Sequence, residues 1–138
     1  MSENTFSGSC FCGAIRYSVS SPAKSCCFCH CESCRKASGG VYVAWATFDT
    51  ESFRITSGDL ELHASSPDAT RGHCAVCGTS LTYEHKERPN EVDISLASLD
   101  DPGRLSPNSH IWLADKLPWV VLNDGLPQHR TWASADTD

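Results

Sequence analysis

Residues 74–78 read Cys74-Ala75-Val76-Cys77-Gly78, and a similar group, Cys10-Phe11-Cys12-Gly13, has its second cysteine 62 residues before Cys74. Each is a close pair of cysteines followed at once by glycine. Glycine takes positive φ without steric cost, so the chain can fold round a metal ion and turn backbone amides toward the sulfurs. Four thiolates make a closed tetrahedral zinc site with no position for substrate, and its contribution is to folding. One ion on Cys10, Cys12, Cys74 and Cys77 would tie the start of the chain to its middle. A Cys-x-x-Cys pair can also be a redox couple, but such couples open a helix, and an alternating strand pattern follows Cys77 instead. Inert buried cysteines would not account for the two glycines.

Between these pairs lies a third cluster, Cys29-His30-Cys31-Glu32-Ser33-Cys34-Arg35-Lys36. Residues i and i+2 of a strand share a face, and a turn into a helix brings the third thiol round. Zinc on Cys29, Cys31 and Cys34 has three protein ligands and a vacant fourth position, the pattern of a catalytic site. Cys27 lies on the same strand face and is a candidate fourth ligand. As buried strand residues, Cys26 and Cys27 would pack as small hydrophobes. His30 points to the opposite face. Arg35 and Lys36 either offset the negative charge of a three-thiolate zinc and attract an anionic substrate, or form a solvated helix face. The other histidines are scattered and read as structural.

Working outward, short apolar–polar alternations mark half-buried strands. These are Ile15 to Val19, Phe53 to Thr56, Leu60 to Ala64, Ser80 to Glu84 and Glu91 to Leu96. Val41 to Phe48 is apolar on both sides, as in a strand covered on both faces. Only Glu32 to Ser38 reads as a helix, stopped by Gly39 and Gly40. The fold class is therefore mostly β with one short helix. From Pro107 the chain is rich in Trp and Pro, a segment expected to pack over the sheets, with fraying after about residue 132.

At 138 residues the chain reads as one domain, 1–138. A net charge of −6, a pI near 5.4 and no basic run argue against nucleic acid and anionic membranes as partners. No export signal or spanning segment is evident, so a cytoplasmic location is expected. In a reducing compartment, nine cysteines point to metal rather than disulfides. Seven thiolates against the four charges of two zinc ions take the formal charge from −6 to −9.

These motifs resemble the glutathione-dependent formaldehyde-activating enzymes, which share a domain with centromere protein V. The resemblance runs through Gly8 to Tyr17, Cys29 to Lys36 and Cys74 to Thr79. It continues through Ser98 to Pro102, His110-Ile111-Trp112, Leu117-Pro118-Trp119 and Asp124-Gly125-Leu126-Pro127. It implies a β-tent-like fold of antiparallel sheets and two zinc ions per chain. The structural ion would sit on Cys10, Cys12, Cys74 and Cys77, and the catalytic ion on Cys29, Cys31 and Cys34. It also implies a carbon-sulfur lyase that joins formaldehyde to a small thiol, glutathione, as S-hydroxymethylglutathione. The pair Cys26-Cys27 departs from the pattern, and a ligating Cys27 would close the catalytic position. Two other functions compete with this one. The first is a zinc-stabilised protein-interaction module, favoured if protein atoms fill all four positions of the second zinc. The second is a thiol redox or zinc-buffering protein, motivated by the surplus of cysteines. No general base and no oligomeric state is legible.

Overall fold

The computed structural model describes residues 5–133; the fraying expected beyond residue 132 concerns mainly residues 134–138, which lie outside the described residues. Ten strands among the described residues form two sheets. The smaller has the order β1-β2-β5, from β1 (Phe6–Ser9), β2 (Arg16–Val19) and β5 (Phe53–Ser57). The larger runs β10-β3-β4-β9-β8-β7-β6. Its members are β3 (Ser25–Cys29), β4 (Val43–Asp49), β6 (Leu60–Ser66), β7 (Ala69–Cys74), β8 (Ser80–His85), β9 (Glu91–Ser95) and β10 (His110–Ile111). All pairings are antiparallel except β10 beside β3, which is parallel. The sole α-helix among the described residues, α1, spans Glu32–Ser38 as expected, and the N–H of Gly39, at φ 76°, closes it onto the Arg35 carbonyl.

The larger sheet is buried on both faces at its centre, and the alternation of β4 shows why. Ala44, Ala46 and Phe48 face the main core, where Phe6, Tyr17 and Val19 of the small sheet meet Val92 and Ile94 of β9. Phe6 and Phe48 pack with ring centroids 5.5 Å apart. Trp45 and Thr47, one residue out of phase, face the other way into a cavity. The apolar run from Val41 thus yields the doubly covered strand that its pattern predicts.

β8 would break this division but for an irregularity. Its Thr82 pairs with Gly72 and its Ser80 with His73, so Leu81 is an extra residue in the ladder. A bulge of this kind re-aims side chains. Leu81 enters the main core while Tyr83, two residues on, faces the cavity. β7 keeps its plain alternation: Ala69 and Arg71 line the cavity, whereas Cys74, in the opposite phase at its end, belongs to the main core.

The segment after Pro107 differs from a plain covering tail. It contributes β10, and His110 exchanges backbone bonds with Pro127 and His129, so the chain doubles back on itself. Trp119 and Trp132 stay half exposed or more, at 65% and 52%, so neither is a core residue. Trp112 adopts a left-handed backbone, φ 61°, rare for a bulky side chain, and stands at the cavity against Trp132.

Candidate metal centres

The four-cysteine cluster is built from two near-copies of one turn. Cys10 N–H donates to the Ile15 carbonyl and Gly13 N–H to the Cys10 carbonyl; in the second copy Cys74 donates to Thr79 and Gly78 to Cys74. Gly13 and Gly78 share the same left-handed φ of 82°. Amides aim at the buried sulfurs: Ile15 N–H reaches Cys10 Sγ at 3.3 Å, and the N–H groups of Val76 and Cys77 reach Cys74 Sγ at 3.4 Å. Phe11 N–H donates to Thr79 Oγ1 and joins the two turns directly.

All four sulfurs lie within 4.8 Å of one another. Cys10 and Cys12 are 3.6 Å apart and Cys12 and Cys74 3.8 Å. A tetrahedron with zinc–sulfur bonds near 2.3 Å has edges of about 3.8 Å, so the spacing fits that ion. Desolvation works against the Cys10 thiolate, but the Ile15 amide and Cys12 hold its pKa below the ordinary value. The Thr79 hydroxyl and amide bring Cys77 down to about 5. One sulfur in each turn is thus favoured as a thiolate, whereas Cys12, despite the Ala14 amide, is pushed up to about 11 by desolvation and the neighbouring thiols.

The three-cysteine cluster forms where β3 turns into α1. Cys29 ends the strand, Cys31 is the N-cap whose Sγ accepts from Cys34 N–H at 3.2 Å, and Cys34 is the buried residue of the helix. Cys31 therefore serves two purposes, capping the helix and facing the cluster. The three sulfurs lie within 4.8 Å of one another. Thiol donation from Cys29 and Cys31, aided by Arg71, brings Cys34 down to about 2, while the same contacts raise Cys29. The first negative charge in the cluster thus settles on Cys34.

Unlike the first cluster, this one opens into a cavity of about 470 Å³ walled by Trp45, Tyr83, Ile111 and Trp112. Cys27 shares the face of Cys29 and Cys31 and lines that cavity, but its sulfur is not among the converging three. Burial pushes its thiol up to about 12, so it is a neutral wall group. Cys26, on the opposite face, packs in the main core.

Arg35 and Lys36 are not cavity residues, and Arg35 donates instead to the Asp115 carbonyl at 3.4 Å. The cations that line the cavity are Arg71 and Arg88, which sequence reading missed. Neither has a local signature, because each reaches the site through strand pairing far from the cysteine motifs.

His30 is fully buried on the side away from the cluster, as its phase predicts. Its Nε2 pairs with His110 Nδ1 at 2.9 Å, and His110 Nε2 pairs with Asp124 Oδ2 at 2.7 Å. The consistent arrangement has His110 donating to the carboxylate and accepting from His30. This chain clamps β10 and the Asp124 loop behind the cluster, and explains why widely separated motifs at His110 and Asp124 accompany it.

The family description "Glutathione-dependent formaldehyde-activating enzyme" matches residues 5–115. A Halomonas elongata protein given that name provisionally is 29% identical over 135 residues, covering 91% of this chain and 85% of its own. A protein of Schizosaccharomyces pombe described as an uncharacterised lyase is 31% identical over 92 residues, 65% of either chain. The crystal structure of a Rhodobacter sphaeroides protein superposes with a TM-score of 0.58 at 25% identity, covering 68% of this chain and 87% of that one. With the match extending from β1 through both cysteine clusters to the turn at Asp115, the chain belongs to the glutathione-dependent formaldehyde-activating enzyme family.

Proposed function

We propose that the protein is a zinc-dependent carbon-sulfur lyase acting on a small thiol–aldehyde adduct, with S-hydroxymethylglutathione as the specific substrate. The observation that carries this reading is the contrast between the clusters. Cys10, Cys12, Cys74 and Cys77 supply four sulfurs and a closed, structural site, whereas Cys29, Cys31 and Cys34 supply three at a 470 Å³ cavity, within the size range of small-molecule sites. Zinc bound by the three would supply a vacant position for a thiol and favour its ionised form.

The chain's own residues supply the rest. Trp45, Tyr83, Ile111 and Trp112 give the cavity beside the three cysteines its apolar walls. In the forward direction the thiol sulfur attacks the aldehyde carbon, the carbon–sulfur bond forms, and the proton lost by sulfur ends on the former carbonyl oxygen. The reverse step returns thiol and aldehyde, so no redox partner is required. We read the whole chain as one domain with two zinc ions, working in the cytoplasm. No helix among the described residues is long and apolar enough to cross a membrane.

The test is formation of S-hydroxymethylglutathione from glutathione and formaldehyde above the spontaneous rate, with loss of the excess in Cys31→Ser. A rate equal to the uncatalysed one in the zinc-replete protein would sink the assignment.

A further inference from the structure

Trp112 is the only non-glycine residue with positive φ among the described residues, at φ 61° and ψ 39°. That backbone is strained for a bulky side chain, and such strain persists only where the surroundings impose it. Here they do. Trp112 N–H donates to the Thr131 carbonyl at 2.9 Å, and the Trp112 carbonyl accepts from Asp115 N–H at 3.0 Å.

The strain has a visible result. In β10, His110 turns away from the cavity toward His30 and Asp124, and Ile111 turns into it. Continued alternation would send the next side chain the way of His110. The left-handed residue instead puts the Trp112 indole on the cavity side beside Ile111, packed against the buried group that contains Cys29 and Cys34. Trp132 meets it edge-on, with ring centroids 5.6 Å apart and planes at 81°, so two flat indoles form a corner at the cavity. Trp112 is only partly buried and Trp132 is exposed, so both keep apolar surface that a ligand in the cavity can cover.

We propose that Trp112, braced by Trp132, is the specificity-determining residue of the thiol site and packs against the peptide part of a peptidyl thiol such as glutathione. The proposal rests on the reading of the three-cysteine cluster as an open thiol site. Two features favour a peptidyl thiol over a simple alkyl thiol. A planar amide can lie flat on an indole face, as aromatic planes do in offset stacks. Asp115, bonded to the Trp112 carbonyl, also lines the cavity, as does Glu32, whose N–H donates to the Asp115 carboxylate at 3.1 Å. These two carboxylates offer acceptors beside the flat surface for amide N–H and ammonium groups, which an alkyl thiol does not carry.

The experiment loads the protein with Co²⁺ and titrates glutathione and 2-mercaptoethanol, following the cobalt absorption bands rather than turnover. Glutathione is expected to bind the unaltered protein more tightly. Trp112→Ala should weaken glutathione by about three- to tenfold, the range for an aromatic contact, and leave 2-mercaptoethanol unchanged. Trp112→Gly, whose backbone takes a positive φ without cost, is a second truncation and should behave in the same way. Trp112→Phe keeps a ring and should retain most of the preference, and Trp132→Ala should lose part of it. A glutathione affinity that the truncations leave unchanged would overturn the proposal while leaving the open site intact. So would an equal weakening of both thiols, since the indole would then serve only the shape of the cluster. If the Trp112 variants fail to fold, Trp132→Ala, at an exposed residue, decides: no preference for glutathione in the unaltered protein, or one that Trp132→Ala leaves whole, overturns the proposal. A spectrum that neither thiol alters overturns the open-site reading itself, and the proposal with it.

Discussion

Replacing Cys74 by serine should separate the two clusters by their energetic roles. Cys74 is 1% exposed and ends β7, and its sulfur lies 3.8 Å from that of Cys12. An ion bridging them closes a loop of 62 residues. By the chain-entropy relation for cross-links, a loop of that length restricts the unfolded chain by about 4 kcal/mol. A domain of this kind is stable by only about 5–15 kcal/mol, so that is a large share. The equivalent drop in melting temperature is on the order of 10–20 °C. Cys31→Ser provides the contrast. Cys29, Cys31 and Cys34 are neighbours already held by the β3–α1 turn, so an ion there closes no long loop. Thermal melts of the zinc-replete proteins, with metal content measured on the same samples, make the comparison. Cys74→Ser should melt far below the unaltered protein, and Cys31→Ser should lose one ion while melting only a few degrees lower. A Cys74→Ser protein that melts within about 3 °C of the original, or a Cys31→Ser protein that falls as far, would refute the division of roles.

Three further outcomes follow from the packing. Gly8 lies against the hydroxyl end of buried Tyr17 and the Ser98 carbonyl, so Gly8→Ala should destabilise by about 1–3 kcal/mol in denaturant titrations. Thr47→Val removes the 2.6 Å bond to Asp93 Oδ1 beneath the cavity and should cost about 1.5–3 kcal/mol, with Arg88 still paired to Asp93. Glu91 is held below its ordinary pKa of 4.5 by Lys24 first and then, against desolvation, by Arg88. Its stabilisation is therefore present above pH 4.5 and is lost as pH falls through the lower folded value. The melting-temperature gap between Glu91→Gln and the original protein should be constant near neutral pH and close below pH 4.5.

Much of this architecture was legible because it rests on local chemistry. Glycine after each cysteine pair announced the twin turns, and Gly39 announced the end of α1. β4, β5, β6, β8 and β9 carry enough apolar or β-branched residues to be seen. β1, β7 and β10 do not. Phe6–Ser9 is one aromatic among small residues, Ala69–Cys74 holds Arg71, Gly72 and His73 in place of an apolar stripe, and β10 has only two residues. Their strand state comes from pairing with neighbours. The open cluster was read from spacing alone, yet its working environment was not. Arg71 reaches Cys34 across the sheet, and a bulge at Leu81 directs Tyr83 beneath it, neither of which leaves a trace in a one-dimensional pattern. Cys27 was ambiguous for the converse reason. Its phase was right for a ligand, but position along β3 kept its sulfur from the converging three.

The central claim is that the second cluster leaves one position for a substrate thiol. Zinc X-ray absorption on the two-zinc protein, before and after adding glutathione, addresses it directly. Seven cysteine sulfurs shared by two ions give an average of 3.5 per zinc. The account expects that value before the thiol is added and a rise to 4 afterwards. Four sulfurs per zinc in the thiol-free protein, or an average that glutathione leaves unchanged, would contradict it.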